Sequence, residues 1–517
     1  MKKISGRQII AAVLCGLLLA LASPGQNSLA PAVWLALVPL FYALCQRDTT
    51  MRSAAVIGLI AGITYYPLLL YWIVIVLEQY GGVPLWGAVP AMLLLALYMS
   101  LYLAAFSALV HRLQGKFPLI WSAPIAWVAL DYLRSLLFTG FPWSDLAYSQ
   151  FRTPLLIQIS DLTGHHGVTF LIVMVNALVF QAFTGRKKST TKRDLAFRTA
   201  IILVIFVLSY NLARIKNVAE ELSENPTFGV GVVQGNISQG QKWLPQLQRE
   251  TFQKYISLSS EIMASNNPAL IVWPETAIPF YLAESTIKDE ISRLAAAKEG
   301  LTVLTGAPYR EKGSTGSPTR YFNSAFFING KGLRPDHYSK QHLVMFGEYV
   351  PLKNFLPFLA PLVETVADFT PGKFQKPVTC QNVGVGVLIC FESIFPTLAR
   401  HQVENGAGLL VNLTNDAWYG RSSAPWQHLS MAVFRAVENR RSLARSANTG
   451  ISGFIDPLGR MHELSPLFED FSAYKELPLT SIKSVFTFYG GHRSGIICLV
   501  AALLLTALAS RKEKSLL

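Results

Sequence analysis

Residues 385–393 read Val-Gly-Val-Leu-Ile-Cys-Phe-Glu-Ser, and this stretch decides how the rest of the chain is read. Five apolar or small residues, rich in Val and Ile, are too few for a helix of ordinary length and argue a buried strand. The strand runs out on Cys390, where polar sequence begins. A helix-like segment over 393–404 follows. A thiol at such a strand–helix turn receives the helix N-terminal field, so Cys390 is expected to favour thiolate. A free cysteine can also simply end a core strand. The adjacent Glu392 argues against a purely apolar surrounding.

Two stretches upstream repeat the pattern of a reactive residue directly after a strand. Residues 271–275 read Ile-Val-Trp-Pro-Glu, where Pro274 ends ladder pairing and leaves Glu275 just beyond the sheet. Residues 338–351 read Tyr-Ser-Lys-Gln-His-Leu-Val-Met-Phe-Gly-Glu-Tyr-Val-Pro and carry the isolated base Lys340. Taken singly, Glu275 reads as a solvated turn acid and Lys340 as a surface lysine. His337 and His342 flank Lys340 and offer a His–Cys pair as another way to activate the thiol. Cys380 offers a disulfide that would consume Cys390. No CxxC spacing suggests a zinc site or redox motif. Further β-rich runs at 228–233, 270–273, 301–305, 325–328, 383–389, 409–413 and 451–455 alternate with helix-like segments at 245–265, 285–299, 393–404 and 425–445. This is the pattern of a layered α/β domain.

Outside that domain the chain changes character. Of 517 residues, 51% are hydrophobic and only 15% charged, against about 25% charged in a soluble domain. Mean hydropathy is +0.35. Apolar runs long enough for membrane spans lie at 8–23, 29–46, 54–77, 85–110, 119–138, 155–183, 198–216 and 494–510. The first run could be a signal peptide. A second apolar run follows at once, so it reads as a retained span. The formal net charge of +14 is concentrated in short segments between spans, which argues against a nucleic-acid partner. Lys2, Lys3 and Arg7 precede the first span, and Arg47 and Arg52 follow the second. Arg112 and Lys116, then the basic cluster at 186–198, and finally Arg511, Lys512 and Lys514 continue the alternation. Under the positive-inside rule, eight spans with both termini cytoplasmic satisfy it. The expected division is 1–216 with seven spans, 217–493 as the α/β domain on the far side, and 494–517 as the eighth span and tail. A transporter would need buried charge in its spans. Asp131 and Arg134 are the main pair, either lining a cavity or forming a structural pair, and that is thin support for transport.

Glu275, Lys340 and Cys390, each at a strand end and in that order, resemble the nitrilase superfamily over roughly 226–480. The resemblance rests on WPE at 273–275, YSKQHLVMFGEYVP at 338–351, ICFES at 389–393 and NLTNDAWYG at 412–420. It implies an αββα sandwich with Glu275 as general base, Lys340 as oxyanion stabiliser and Cys390 as nucleophile. Glu348 and Glu392 would hold Lys340 or relay protons, and a structural salt bridge serves equally well for Glu392. With eight spans attached, the whole chain resembles the apolipoprotein N-acyltransferase family. QGNISQGQKW at 234–243, YFNSAFF at 321–327 and the helix carrying His428, Arg435 and Glu438 add to the match.

That family implies transfer of an acyl chain from a glycerophospholipid, through a Cys390 thioester, to the amine of a diacylglyceryl lipoprotein. It further implies a bacterial inner-membrane location, a periplasmic catalytic domain, no cofactor or metal, and a monomer. Trp243, Asn323 and Phe346 become expected site neighbours. The family usually has tyrosine after the nucleophile, and this chain has Phe391, for which packing is the expected role. The apolar loop around 346–362 is expected either to cover an acyl chain as a lid or to pack on the membrane domain. The competing enzyme reading is a membrane-anchored amidase or nitrilase acting on a small substrate, which would use the same triad.

Overall fold

The computed structural model describes residues 4–184, 191–313, 318–345, 347–349 and 369–514. The chain divides into two compact units. One is Met1–Val74, Pro84–Lys216 and Tyr489–Leu517, and the other is Ile75–Val83 and Asn217–Phe488.

The first unit is helical. Among the described residues, five helices are long and apolar enough to cross a bilayer: Met51–Leu70, Leu85–Leu113, His165–Phe183, Asp194–Glu224 and Arg493–Arg511. Three of the eight expected spans are shorter. Gly6–Ala22 has 17 residues and Leu119–Arg134 has 16. At 1.5 Å per residue each reaches about 25 Å, a little under the hydrocarbon thickness of about 30 Å. The third is a 3-10 turn, Ala30–Trp34, followed by the helix Val38–Leu44. The run expected at 155–183 is also broken, because Gly164 adopts φ +68° and the long helix starts only at His165.

Met51–Leu70 and Leu85–Leu113 pack closely through Gly58 and Gly62. A Cβ on Gly58 would lie 2.4 Å from the Leu103 carbonyl oxygen, and one on Gly62 2.7 Å from Ser100 Cβ. Without a hydrophobic drive between helices in lipid, small residues at such crossings supply the contact. Arg134 forms an ion pair with Asp131 at 3.2 Å and a second one with Asp145. His165 Nε2 lies 2.9 Å from the other oxygen of Asp145. The Asp131–Arg134 pair is therefore part of a buried charge cluster within this unit.

The second unit is a sandwich of two six-stranded sheets. The first sheet contains β1 (Thr227–Gln234), β2 (Leu270–Val272), β3 (Thr302–Glu311), β4 (Arg320–Asn329), β5 (Gly332–Ser339) and β12 (Phe471–Pro478), in the order β12-β1-β2-β3-β4-β5. The second contains β6 (Val378–Cys380), β7 (Val383–Ile389), β8 (Leu409–Thr414), β9 (Ser442–Ala447), β10 (Gly453–Ile455) and β11 (Met461–His462), in the order β11-β10-β9-β8-β7-β6. Side chains alternate across each strand. Val230, Val232, Val272 and Leu304 thus meet Val385, Val387, Ile389, Val411 and Leu413 of the opposite sheet in one core. Val233, Ile271 and Val303 face the other way and pack under the helices Gln248–Ser265 and Ile287–Ala296. The helices Pro396–Glu404 and Ala424–Asn439 pack on the second sheet. The layers are αββα.

The helix expected over 425–445 ends early. Arg440 takes a left-handed conformation (φ +50°), and 442–447 is instead strand β9 at the heart of its sheet. Its basic residues are hidden because main-chain carbonyls and acids receive them. Arg441 donates to Ala407 O at 2.9 Å and to Ile482 O at 2.7 Å, and Arg445 donates to Asp416 at 2.7 Å.

Candidate active site

Three strand ends supply the site. β2 runs into Trp273, whose fully buried indole donates to Ser259 Oγ at 2.8 Å and pins the strand to the overlying helix. Pro274 and Glu275 follow. Opposite them stands Gly306, where a Cβ would lie 2.4 Å from Thr276 N and 2.8 Å from Glu275 Cα. Only glycine admits the Glu275 loop this closely. β5 ends at Ser339 and delivers Lys340, whose own N–H donates to Asn323 O at 2.8 Å. β7 ends at Ile389 and delivers Cys390 in the left-handed region (φ +50°), on a 3-10 turn, Cys390–Ile394.

The side chains converge. Lys340 is 2% exposed, and its Nζ lies 2.8 Å from Glu348 Oε2 and 3.7 Å from Glu275 Oε1. Asn323 Nδ2 donates to Glu275 Oε1 at 2.7 Å and to Glu348 Oε1 at 3.0 Å. Glu348 Oε2 also accepts from Val344 N at 2.8 Å. Burial alone would lower the Lys340 pKa. The Glu348 charge, then the Glu275 charge, outweigh burial and raise it, so the ammonium is fixed.

Cys390 behaves differently from expectation. Burial pushes its thiol well above the usual range, Glu275 adds to that, and Lys340 opposes it. The turn after it is a short 3-10 segment rather than the start of the α-helix, which begins only at Pro396. Burial therefore favours the thiol over the thiolate at Cys390. Glu275 is the carboxylate that acts on it most strongly.

Glu392 does not pair with Lys340. Its carboxylate accepts from Ile389 N (2.7 Å), Gln341 N (2.6 Å), His342 N (3.2 Å) and Tyr338 Oη (2.9 Å). It ties the Lys340 loop to the Cys390 turn. Burial pushes it up to about 7, against the pull of those donors. The histidine alternative finds no support. His337 stacks on Phe326, and the His342 ring lies on Phe395 with centroids 3.9 Å apart. Both Cys380 and Cys390 are free thiols. Phe391 is a packing ring, edge-on to Phe395 at 5.4 Å. Phe346 and most of the loop at 346–362 lie outside the described residues.

Two contributors escaped the sequence reading. Lys242 sits one residue before Trp243 in the turn Gln239–Lys242, is 3% exposed, and donates from Nζ to Glu275 O at 3.0 Å. Burial pushes it down to about 8, with Glu275 and Cys390 pulling the other way. Its signal was present, since it lies within QGNISQGQKW, but a lysine in a polar turn reads as solvent-exposed. Trp243, at 38% exposure, remains open to a partner. The second is Thr414 at the end of β8, whose side chain opposes the rise that burial imposes on the Cys390 thiol. The arrangement brings together a buried thiol, a buried carboxylate, a fixed cation and a water-poor surrounding. These are the parts of acyl transfer through a thioester.

Comparison with known proteins agrees with both units. Residues 15–178 match the family model described as apolipoprotein N-acyltransferase N-terminal domain, and residues 229–485 match carbon-nitrogen hydrolase. An apolipoprotein N-acyltransferase of Geobacter metallireducens is 40% identical over 98% of this chain and 96% of its own length. One from Methylococcus capsulatus is 33% identical over 85% of each. Among solved structures, Saccharomyces cerevisiae Nit3, a nitrilase-superfamily member, is 19% identical and covers 49% of this chain and 90% of its own, with a TM-score of 0.38.

Proposed function

The chain belongs to the apolipoprotein N-acyltransferase family, and we propose that its acyl group travels through Cys390 with Glu275 as base and Lys340 as oxyanion partner. The observation that carries this is the meeting of Lys340 with both Glu275 and Glu348 in a buried site around the thiol.

The first half-reaction begins when Glu275 accepts the Cys390 S–H proton as Sγ attacks the ester carbonyl carbon of a glycerophospholipid. The carbonyl oxygen gains charge, and the Lys340 ammonium donates to it. Collapse breaks the ester C–O bond. Glu275 returns the proton to the departing lysophospholipid oxygen, and the acyl group remains as a thioester.

In the second half-reaction, the α-amine of a diacylglyceryl lipoprotein attacks the thioester carbonyl carbon. An α-amino group has an ordinary pKa of about 7.7–8.0, so a substantial fraction is neutral near pH 7.5 and modest base help suffices. Glu275 takes the amine proton and passes it to the Cys390 sulfur as the C–S bond breaks. Asn323 holds Glu275 and Glu348 apart in a fixed geometry. Lys242 fixes the main chain of Glu275. Trp243 offers an exposed ring to the substrate.

The alternation of basic loops supports an inner-membrane protein with cytoplasmic termini and a periplasmic second unit. The donor is a membrane phospholipid, the acceptor a lipoprotein, and the enzyme works as a monomer. A small-substrate amide hydrolase is disfavoured, because the relatives match the membrane unit as well as the catalytic one. Cys390→Ala is expected to insert normally and to lose acyl transfer. Retained full activity would refute the assignment.

A further inference from the structure

Behind Cys390 lies a second constellation that the reaction above does not use. Ser393 Oγ is 2.8 Å from His428 Nε2, and His428 Nδ1 is 3.0 Å from Asp416 Oδ1. All three residues are fully buried. The spacing is that of a Ser–His–Asp hydrolytic triad, yet the hydrogen bonds run in the wrong sense for one. His428 Nε2 also lies 3.1 Å from Cys390 O. A carbonyl only accepts, so Nε2 carries the proton and cannot take one from Ser393. Nδ1 faces both Asp416 Oδ1 and, at 3.1 Å, Arg445 Nη2. Burial, reinforced by Arg445, lowers the imidazole pKa from its usual value, and Asp416 opposes that shift. Ser393 Oγ is itself a donor to Cys390 O, at 3.1 Å.

The constellation therefore converges on the main chain of the nucleophile. Cys390 O receives Ser393 Oγ, His428 Nε2 and, at 3.4 Å, Asn412 Nδ2. Asn412 is held in turn by Arg445, and Arg445 Nη2 also binds Asp416 Oδ2 at 2.7 Å. The same Asp416 accepts from Thr414 Oγ1 at 2.9 Å. The hydrogen bonds anchor Cys390 through its carbonyl oxygen. Cys390 needs such anchoring because a non-glycine residue at φ +50° is strained and persists only where its surroundings over-determine it.

We propose that Ser393, His428 and Asp416 are positioning residues that lock Cys390 in its left-handed conformation and aim its sulfur at the acyl carbonyl. The inference rests on Cys390 being the nucleophile. It concerns turnover and not donor binding, since none of the three has exposed surface.

The test uses the full-length protein in detergent with a phosphatidylethanolamine donor. The rate of acyl-Cys390 formation is measured against donor concentration for wild type, His428→Leu, His428→Gln and Ser393→Ala, with a thermal melt for each. Misplacing a reacting atom by an ångström costs about a hundredfold, so His428→Leu should lose about that factor in maximal rate with its KM within twofold. His428→Gln restores an N–H donor and should recover about tenfold or more of the loss. A folded His428→Leu protein that acylates within about twofold of wild type would overturn the proposal, as would a glutamine variant as slow as the leucine one. Should His428→Leu fail to fold, Ser393→Ala decides. A slowed rate at unchanged KM and melting supports positioning, and an unchanged rate overturns it. Cys390→Ala is the control. Activity there would remove the nucleophile assignment itself, whereas an inactive Cys390→Ala beside a normal His428→Leu would remove only this inference.

Discussion

Replacing Lys340 by methionine separates two consequences of one buried charge. The side chain is 2% exposed and stands 2.8 Å from Glu348 and 3.7 Å from Glu275. As the oxyanion partner, its loss should cost about 10²–10³ in the rate of acyl-Cys390 formation, equivalent to about 2.7–4 kcal/mol. As the counter-ion, its loss leaves Glu275 and Glu348 sharing the single Asn323 amide. Breaking a buried ion pair on one side typically costs about 3–5 kcal/mol, so the variant should melt well below wild type. Thermal melts of both proteins in detergent, with thioester formation measured in parallel, test both effects. The reasoning fails if the variant acylates Cys390 within about tenfold of wild type. It also fails if the two proteins melt at the same temperature.

Other perturbations probe the neighbouring parts. Glu392 is pushed up to about 7, so it binds its proton more tightly when folded and stability should fall as pH rises from about 4.5 to 7; Glu392→Gln mimics the protonated form and should flatten that part of the melting profile. Gly306→Ala drives a Cβ into the Glu275 loop and should cost about 1–3 kcal/mol of stability, with acylation slowed; a variant with wild-type rate and melting would show that the loop yields freely. Phe391→Tyr should leave donor turnover within about twofold, because the substitution keeps the ring that packs edge-on against Phe395 and adds only a hydroxyl; a large loss would mean that the ring edge has no room. Trp243→Ala should leave melting nearly unchanged, since the ring is 38% exposed, while slowing transfer; equal activity would remove Trp243 from the substrate path.

The sequence announced the parts of the fold whose local pattern agrees with their burial. β2 is Leu-Ile-Val, β1, β7 and β8 are rich in Val or Leu, and the turns after β2 and β7 carry Pro274 and Cys390. β9 was hidden because its residues, Ser-Leu-Ala-Arg-Ser-Ala, are inside only by virtue of partners distant in the chain. β5 was hidden for a similar reason, being half-buried and polar, yet it is the strand that delivers Lys340. Membrane runs were legible as composition, but not where they break. Gly164 stops one run, and Pro31 and Pro39 begin the short turns that replace another. At the site, Glu275, Lys340 and Cys390 stood out as isolated reactive residues at strand ends. The preference of Cys390 for the thiol form did not, because it follows from burial and from a 3-10 turn where an α-helix was expected. Lys242 was unreadable as a buried residue, since nothing local shows that the Glu275 carbonyl waits for it.

The central claim is a covalent acyl group on one sulfur, and intact-protein mass spectrometry reads it directly. After incubation with a phospholipid of single defined acyl chain, the protein should gain the mass of one acyl group. Peptide mapping should locate it on Cys390, hydroxylamine should remove it, and addition of a diacylglyceryl lipopeptide should discharge it as the N-acyl product. An acyl group on another residue, or product formation by Cys390→Ala, would contradict the account.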